Sequence, residues 1–264
     1  AVDLGVVSEV SVENMENQSK TMLMDHDEPK SKTQVGSVDI GDKTALVALA
    51  SGEGIKEFLL DSGANIVIEA GDTANPSVGE ILDCLEAISA SSVLLLPNNK
   101  NIASTAHEAA KMADTNVVVL PTVSVLQGME CSFAFDPDLS AQINSEMLVD
   151  VMGSVKTILI FPAARSVEIN GVSALEGQPV AMLDSKLILS ATTNLELLVR
   201  AIEATGGQDS DQITVFSGNQ LDELDLDSIR DFLESSFGDL EHAGIELHWG
   251  GQPHYDFMVS VVSS

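Results

Sequence analysis

The chain has 264 residues, of which 41 are acidic and only 12 are basic, giving a formal net charge of -29. So acidic a surface repels phosphate backbones and anionic membranes, which excludes nucleic acid as a partner. No apolar run approaches the roughly 20 residues that span a bilayer, and the first residues lack the pattern of a signal peptide. We therefore expect a soluble, cytoplasmic protein whose charge serves solubility.

The composition predicts an aliphatic core, because hydrophobic residues make up 44% of the chain and aromatic residues only 4%. The length suffices for one large or two modest domains. The two cysteines, Cys84 and Cys131, lie in apolar helical contexts without CxxC spacing or a nearby histidine at ligand spacing. We expect them to be core residues, with no metal or redox role.

Residues 1–42 do not resemble the start of a domain. Val6, Val7, Val10 and Val12 suggest a strand, and the stretch DHDEPKSKTQVGSVDIGDK has the proline, serine, glycine and charge content of a linker. We interpret 1–42 as the remnant of a preceding domain followed by a linker.

Residues 43–154 alternate strands with single helices, a pattern typical of a parallel β-α-β domain. Strands are predicted from apolar runs and helices from the i, i+3, i+4, i+7 spacing. The predicted strands are 45–50, 65–70, 93–96 and 116–121, the predicted helices 55–63, 78–88, 103–113 and 140–152, and the predicted turns and loops 52–54, 71–77, 98–101 and 122–128. The last three loops should meet at one edge of the sheet.

A polar group, Asn98 to Asn101, follows the buried strand that Pro97 ends. It lies at the carboxyl end of a strand and the amino end of a helix, which is where open α/β sheets bind ligands. The alternative is a helix cap, because asparagine is a favoured N-cap residue.

Residues 155–264 predict a second α/β domain with mixed strands, and a boundary near 155 divides the chain. The turns Asn170-Gly171 and Asp184-Ser185 favour hairpins. The predicted strands are 156–161, 165–171, 178–183, 186–191, 211–216, 244–249 and 256–262, and the predicted helices are 194–204 and 226–237.

Several segments carry a family resemblance, in the family's order: ENMENQ, GEGIKEFLLDSGANIVIEAGDTANPSVGEILDCLEAI, LPNNKN, LPTVSVLQGMECSFAFDP, AARSVEINGV, QPVAMLDSKLIL and HWGGQPHYDF. Together they resemble the carboxyl-terminal region of dihydroxyacetone-kinase-like (Dak phosphatase) proteins that serve as the ATP-binding subunit of bacterial fatty acid kinase. The resemblance covers nearly the whole chain. It implies an α/β, two-domain DegV-like fold, with a parallel β-α-β first domain and a mixed-sheet α/β second domain, and a role in bacterial lipid metabolism.

In that family a helical kinase domain binds ATP and magnesium, a middle domain follows, and the DegV-like domain comes last. The present chain lacks an aspartate-rich nucleotide site, and residues 1–20 are similar only to the final strand and helix of the middle domain. No P-loop or other glycine-rich phosphate cradle precedes a helix. We therefore expect no cofactor, metal or catalytic residue in this chain and no phosphoryl transfer by the chain alone.

The DegV-like resemblance also implies a carboxylate site, built in that family from a Ser/Thr-containing turn, a strand end, an arginine and a histidine. The matching positions are Thr73, Asn75, Ser77, Asn98, Asn99, Arg165 and His248, and Lys100 adjoins them. Neutral donors with one guanidinium suit a carboxylate. Asn98 and Asn99 depart from the serines of the lipid binders. We expect loops 71–77 and 98–101 to lie adjacent, with Arg165 or His248 facing them.

Three of these residues also have structural interpretations. His248 can be exposed or paired with Glu246, with which it shares a strand face. Arg165 can offset acidic neighbours on its hairpin, and Lys100 can extend over a helix. Gly250-Gly251 favours a turn between the last two strands.

Two functions therefore stay open. One is a non-catalytic docking and regulatory region that engages the DegV-type fatty-acid carrier subunit, which presents the fatty acid to the kinase domain. The other is a binding domain for a fatty acid or other small carboxylate in its own interdomain cleft. An independent hydrolase lacks support, because the sequence shows no nucleophile elbow, paired-carboxylate motif or metal triad.

Overall fold

A computed structural model describes residues 37–70, 75–169, 171–206, 212–220 and 225–262. The strand predicted around Val6 and most of the predicted remnant and linker, together with Thr73 and Asn170, lie outside the described residues. No helix in these ranges is long and apolar enough to cross a membrane.

The first lobe, residues 38–154, is built on a parallel sheet with the strand order β2-β1-β3-β4. Its two central strands are apolar on both faces and fully buried near their carboxyl ends, as the continuous runs at Ala45–Ala50 and Val93–Leu96 predict. The strands are β1 (Val38–Ala50), β2 (Ile66–Glu69), β3 (Ile88–Leu96) and β4 (Val117–Val119), and the helices are α1 (Glu53–Asp61), α2 (Val78–Glu86), α3 (Ala103–Met112), α4 (Val125–Ala134) and α5 (Ala141–Ser154).

The structure corrects four predicted boundaries in this lobe. Strand β3 begins at Ile88, inside the predicted helix 78–88, because its first part pairs with the early part of β1. Strand β1 begins at Val38, inside the predicted linker, because its exposed, polar first part still pairs with β3. Helix α1 begins at Glu53, so Gly54 is helical and not part of a turn. Helix α4 begins at Val125, inside the predicted loop 122–128, where the Ser124 hydroxyl accepts a hydrogen bond from the Gln127 N–H at 3.2 Å.

The second lobe, residues 155–262, is built on a mixed six-stranded sheet with the order β11-β10-β12-β5-β8-β9. Its hairpins form as predicted: β6 pairs with β7 across Gly171, and β8 pairs with β9 across Asp184-Ser185, whose φ angles of 45° and 70° suit a tight hairpin turn. The strands are β5 (Val155–Pro162), β6 (Val167–Ile169), β7 (Val172–Ala174), β8 (Pro179–Leu183), β9 (Lys186–Ser190), β10 (Gln212–Ser217), β11 (Ile245–Trp249) and β12 (Phe257–Val262), and the helices are α6 (Asn194–Ala204) and α7 (Leu226–Phe237).

One buried hydrophobic cluster spans the two sheets. Phe216 and Met258 of the second sheet belong to the same buried cluster as Leu46, Leu94 and Leu126 of the first lobe. Helix α4 lies between the sheets, in contact with β1, β5 and β12, and α1 contacts β11. The α/β fold class with one parallel and one mixed sheet is confirmed. The predicted domain boundary coincides with the junction of α5 and β5, and its status as a domain boundary stays a prediction.

One close approach between the lobes depends on a glycine. A Cβ atom added to Gly54 of α1 would overlap the carbonyl oxygen of Trp249, at the end of β11. A backbone oxygen cannot yield as a flexible side chain can, so α1 would have to move.

This contact is tested by Gly54→Ala, with Gly79→Ala as the matched control, because each glycine is the second residue of its helix. A Cβ on Gly79 would lie 3.9 Å from the Ser77 Oγ, so it fits. We expect Gly54→Ala to lower the free energy of unfolding by about 1–3 kcal/mol. Gly79→Ala should leave it unchanged or raise it by up to about 1 kcal/mol, because alanine is the better helix former. Urea denaturation measures the free energy of unfolding of both variants. Equal changes in the two would contradict the close contact of Gly54 with Trp249.

Candidate functional site

A small cleft lies between the lobes, at the edge of the first sheet where its parallel strands end. Its cavity of about 130 Å³ is lined on the first-lobe side by residues that include Ala50, Asn99 and Ser124, and on the second-lobe side by residues that include Thr157 and Tyr255. This edge of an open α/β sheet is where ligands bind in many folds. The cleft is therefore the candidate site.

Asn98 supports this edge of the sheet. Its side chain is buried, its Nδ2 donates to the carbonyl oxygen of Leu49 at 2.9 Å, and its Oδ1 accepts from the Thr122 hydroxyl at 2.8 Å. Its own N–H donates to the same hydroxyl at 3.0 Å. The residue thus ties together the ends of β1, β3 and β4. Its φ of 56° lies in the left-handed region, which asparagine tolerates better than most residues.

The alternative that the asparagines cap the following helix is wrong. Helix α3 has Ile102 as its N-cap, and no side chain makes a cap hydrogen bond there. Asn99 instead accepts the N–H of Asn101 at 2.9 Å within the turn, and it lines the cleft. Lys100 is exposed beside it. Sequence reasoning located this polar group correctly but missed the cross-strand role of Asn98.

The turn before α2 is also structural. Ser77 forms a capping box: its Oγ accepts the Glu80 N–H at 3.2 Å, and the Glu80 carboxylate accepts from the Ser77 hydroxyl and N–H, each at 2.8 Å. Asn75 is exposed. Strand β1 lies between β2 and β3 in the sheet, and Ala70, just after β2, lines the same cavity as Asn98 and Asn99. Residues 71–74 lie outside the described residues, so the adjacency of loops 71–77 and 98–101 stays a prediction.

Arg165 and His248 are not among the residues that line the cleft. Arg165 is exposed between β5 and β6. His248 places its Nε2 3.3 Å from the Glu246 carboxylate, as the Glu-paired alternative expects, and its ring stacks on Phe216 with centroids 5.5 Å apart. The predicted facing of Arg165 or His248 toward the cleft is therefore not observed among the described residues.

The second-lobe wall comes instead from the turn between β11 and β12. Gln252 is buried and donates from Nε2 to the carbonyl oxygens of Phe216 and Tyr255, at 3.1 and 3.4 Å, which holds the turn against the sheet. His254 lines the cleft with a φ of 71°, a conformation uncommon for a histidine. Sequence reasoning placed a turn at Gly250-Gly251 but did not select Tyr255 or His254, although both lie in the quoted motif HWGGQPHYDF.

Polar contacts join the lobes beside the cleft. The Ser124 and Thr157 hydroxyl groups lie 2.9 Å apart, and the Ser260 hydroxyl donates to the Glu130 carboxylate at 3.0 Å. Burial raises the pKa of Glu130, the charge of Glu246 raises it further, and the Ser260 hydrogen bond lowers it in part. Ionisation of Glu130 at this contact between the lobes therefore lowers the stability of the folded chain.

The described residues contain no group of three or more His, Cys, Asp or Glu side chains arranged to hold a metal ion. Both cysteines are buried, and burial raises the pKa of Cys131 to about 12, which makes its thiolate inaccessible at neutral pH. The cleft is lined mostly by apolar residues, such as Ile102, Leu159 and Met258, with neutral hydroxyl and amide groups and the imidazole of His254 among them. Such groups can orient a small polar molecule.

Comparison with known proteins gives a consistent result. A family model for the FakA-like, C-terminal region of fatty acid kinase matches residues 45–262. An uncharacterized protein of Staphylococcus aureus strain USA300 is 29% identical over 257 residues, a stretch that covers 97% of this chain and 45% of that protein. The chain thus spans about half the length of the curated relatives it matches.

Two solved structures show the fold. The DegV family protein Cg2579 of Corynebacterium glutamicum gives a TM-score of 0.58 at 13% identity and covers 85% of this chain and 98% of its own. The Fatty Acid Kinase (Fak) B3 protein of Streptococcus pneumoniae, loaded with linoleic acid, gives 0.54 at 11% identity and covers 83% of this chain and 99% of its own. At these identities the likeness establishes a DegV-like fold.

The role of Asn98 is tested by Asn98→Ala, which leaves the buried Leu49 carbonyl oxygen without its donor. We expect the free energy of unfolding to fall by about 1–3 kcal/mol. Asn98→Gly keeps the left-handed backbone accessible, so a similar loss would assign the effect to the side chain. The control Asn101→Ala changes an exposed asparagine and should lie within about 0.5 kcal/mol of the parent chain. Chemical denaturation measures these free energies of unfolding. If Asn98→Ala is as stable as the parent chain, the role of Asn98 in joining the strand ends is contradicted.

The substitution Glu130→Gln tests whether an ionised Glu130 lowers the stability of the folded chain at the contact between the lobes. Glutamine keeps an oxygen that can accept the Ser260 hydrogen bond. Because the folded-state pKa of Glu130 is raised, the folded chain binds the proton first as pH falls, and ionisation costs stability at higher pH. We therefore expect the variant to be more stable than the parent at pH 8, with the difference vanishing below the ordinary glutamate pKa of about 4.3. Glu203→Gln, at an exposed position on α6, removes the same charge away from this contact and serves as the control in thermal unfolding.

Proposed function

Because the chain belongs to the FakA-like, C-terminal family of fatty acid kinase proteins, we propose that it is a docking region. In this proposal it engages the separate, DegV-type subunit that carries the fatty acid. The chain itself contributes binding and no phosphoryl transfer, and it acts in the cytoplasm. The fold agrees with a fatty-acid-related role, since the solved relatives of the same fold include the linoleic-acid-loaded Fak B3 protein.

The observation that carries the proposal is the size of the cleft. Pockets for small molecules and cofactors measure about 300–1,000 Å³. The cavity between the lobes is about 130 Å³, so it does not hold a long acyl chain in this conformation. The side chain of Asn98 is occupied by Leu49 and Thr122, which removes a central member of the predicted carboxylate site. A chain that shares the fold of acyl carriers, but whose interlobe cavity among the described residues is smaller than an acyl chain needs, suits binding to a carrier more than acting as one.

Charge supports the same proposal. With a formal net charge of -29, the chain associates most readily with a locally basic surface, because like-charge approach is costly at an interface. Attraction of this kind raises the association rate and weakens with salt. Docking to the carrier subunit should therefore depend on a basic patch of that subunit.

In the longer relatives, the remaining half of the polypeptide would supply the kinase chemistry. The family resemblance assigns ATP and magnesium to a kinase domain outside the present residues, and we propose the same division here. The docking region would then bring the acyl carboxylate of the carrier subunit to that domain.

A small carboxylate in the cleft is the second candidate function. It is favoured by the neutral donors and the His254 imidazole that line the cleft. A short ligand such as butyrate suits this volume better than a long fatty acid does.

The docking proposal is tested by titrating the chain with a fatty-acid-loaded carrier protein of the DegV type, at low and high ionic strength. We expect binding at low salt and at least a tenfold weaker affinity at high salt, because screening removes the charge attraction. Calorimetry or interferometry reports the affinity. Butyrate and oleate, added without the carrier, serve as the comparison arm in thermal unfolding, since a ligand of the native state raises the melting temperature.

The outcomes separate the two functions. Salt-sensitive binding of the carrier without a shift from either carboxylate supports docking. A shift with butyrate and no association with the carrier at either salt would replace docking with the small-carboxylate function. A shift with oleate would show that the cleft opens to an acyl chain, and it would contradict the size argument.

A further inference from the structure

The second sheet has an open edge that the proposed function does not use. Strand β11 is the outermost strand on its side of the sheet, and among the described residues its one strand partner is β10. An open edge presents unpaired backbone groups, which can pair with a strand from another chain.

The register shows which backbone groups of β11 face outward. The Ile213 N–H donates to the Gly244 carbonyl oxygen at 2.8 Å, and the Gly250 N–H donates to the Ser217 carbonyl oxygen at 2.9 Å. In a parallel pair such bonds come from alternate residues, so the even-numbered residues of β11 face β10 and the odd-numbered residues face away. The Ile245 N–H is already bonded to Leu240 O at 2.9 Å. The N–H and C=O of Leu247, at the centre of the strand, therefore point to the open side.

A groove runs along this edge. It has a volume of about 490 Å³, and its lining includes Arg230 of α7, Leu240, Glu241 and the β11 residues from Ile245 to His248. The open stretch ends at Trp249, where Gly54 of α1 packs against the strand. This groove is more than three times the volume of the interlobe cavity and falls within the usual range of binding sites.

One face of β11 is apolar and the other is polar. This difference determines which side chains should alternate along a strand that pairs with it. Ile245 and Leu247 share the face of the second-lobe core, beneath α6 and α7. Glu246 and His248 point to the opposite face, and Glu246 is exposed. Because side chains alternate along a strand, a segment laid beside β11 places every second side chain next to the apolar face and the others next to Glu246.

The charge of the groove indicates which side chains of a partner segment should lie next to Glu246. The groove is lined by two exposed carboxylates, Glu241 and Glu246, and by one exposed guanidinium, Arg230, so its acidic side chains outnumber its basic one, in a chain with a formal net charge of -29. Opposite charges on neighbouring strands stabilise pairing, and like charges oppose it. A second copy of the chain would bring its own excess of 29 negative charges to the edge, so a basic segment of another protein fits better.

We propose that the open edge of β11 is a strand-addition site, which binds an extended segment of a partner protein with alternating basic and apolar residues. The partner segment pairs through its backbone with Leu247, buries its apolar residues toward Leu240 and sets its basic residues against Glu246. Recognition of this kind combines main-chain hydrogen bonds with side-chain pockets at alternate positions. The site is separate from the interlobe cleft and does not depend on docking of the carrier subunit.

The test uses the full chain and a capped heptapeptide in which lysine and valine alternate. A peptide of the same composition with its lysines grouped together is the control. We expect the alternating peptide to bind and to slow hydrogen exchange of the Leu247 N–H at least tenfold, as measured by NMR. In an antiparallel pair the valine opposite Leu247 exchanges both backbone hydrogen bonds with it, so N-methylation of the valines should abolish binding in that direction, and N-methylation of the lysines should do so if the peptide binds parallel.

Two charge reversals complete the test. Glu246→Lys and Glu241→Lys should each weaken binding of the alternating peptide at least threefold, and Glu203→Lys, at an exposed position on α6 outside the groove, should change it less than twofold. Using two variants keeps the test valid if the loss of the Glu246–His248 contact disturbs one of them, and circular dichroism checks that each is folded.

Four results would overturn the proposal. The first is the absence of binding, and the second is equal binding of the grouped peptide, which would indicate non-specific charge attraction. The third is protection of Leu247 in the free chain at low concentration, which would show the edge covered by the chain's own residues. The fourth is protection that grows with chain concentration, which would assign the edge to a second copy.

Discussion

The burial of one sheet against the other is the constraint on which the rest of this structure depends. Phe216 and Met258 of the second sheet and Leu46 and Leu94 of the first are apolar and buried against each other, so both lobes contribute to one shared cluster, beside the second lobe's own core. Helix α4 lies between them and begins at the cleft, and α1 contacts the end of β11. The cleft is therefore lined partly by residues of this buried cluster, such as Leu126 and Met258, and partly by the turn between β11 and β12.

Much of the fold was predictable because the sequence patterns are local. The apolar runs of β1 and β3, the amphipathic helices and the hairpin turn at Asp184-Ser185 all carry their own signals. The missed start of α4 has a physical cause: its buried residues include Gly128 and Ser132, so its inward face does not read as an apolar stripe. The early part of β1 was missed because Asp39, Gly41 and Asp42 read as linker residues, and only pairing with β3 makes them a strand.

The candidate site was predictable in place but not in detail. The carboxyl edge of the parallel sheet follows from topology, and Asn98 and Asn99 were found there. What Asn98 contacts could not be predicted, because Leu49 and Thr122 are distant in sequence and meet it only after three strands align. The same reason explains His254 and Tyr255, which reach the cleft through a turn whose position depends on Gln252.

Asn98, which joins the strand ends, also packs against Gly128 of α4, and this packing has an evolutionary consequence. A Cβ atom on Gly128 would overlap the amide group of Asn98, so helix α4 lies as close to the strand ends as a glycine allows. The two positions cannot vary independently. A relative that carries a larger residue at the position of Gly128 must carry a smaller one at the position of Asn98, and it must then satisfy the strand-end carbonyl by other means. Paired changes at these two positions would mark the branches of the family in which the mouth of the cleft has been rebuilt.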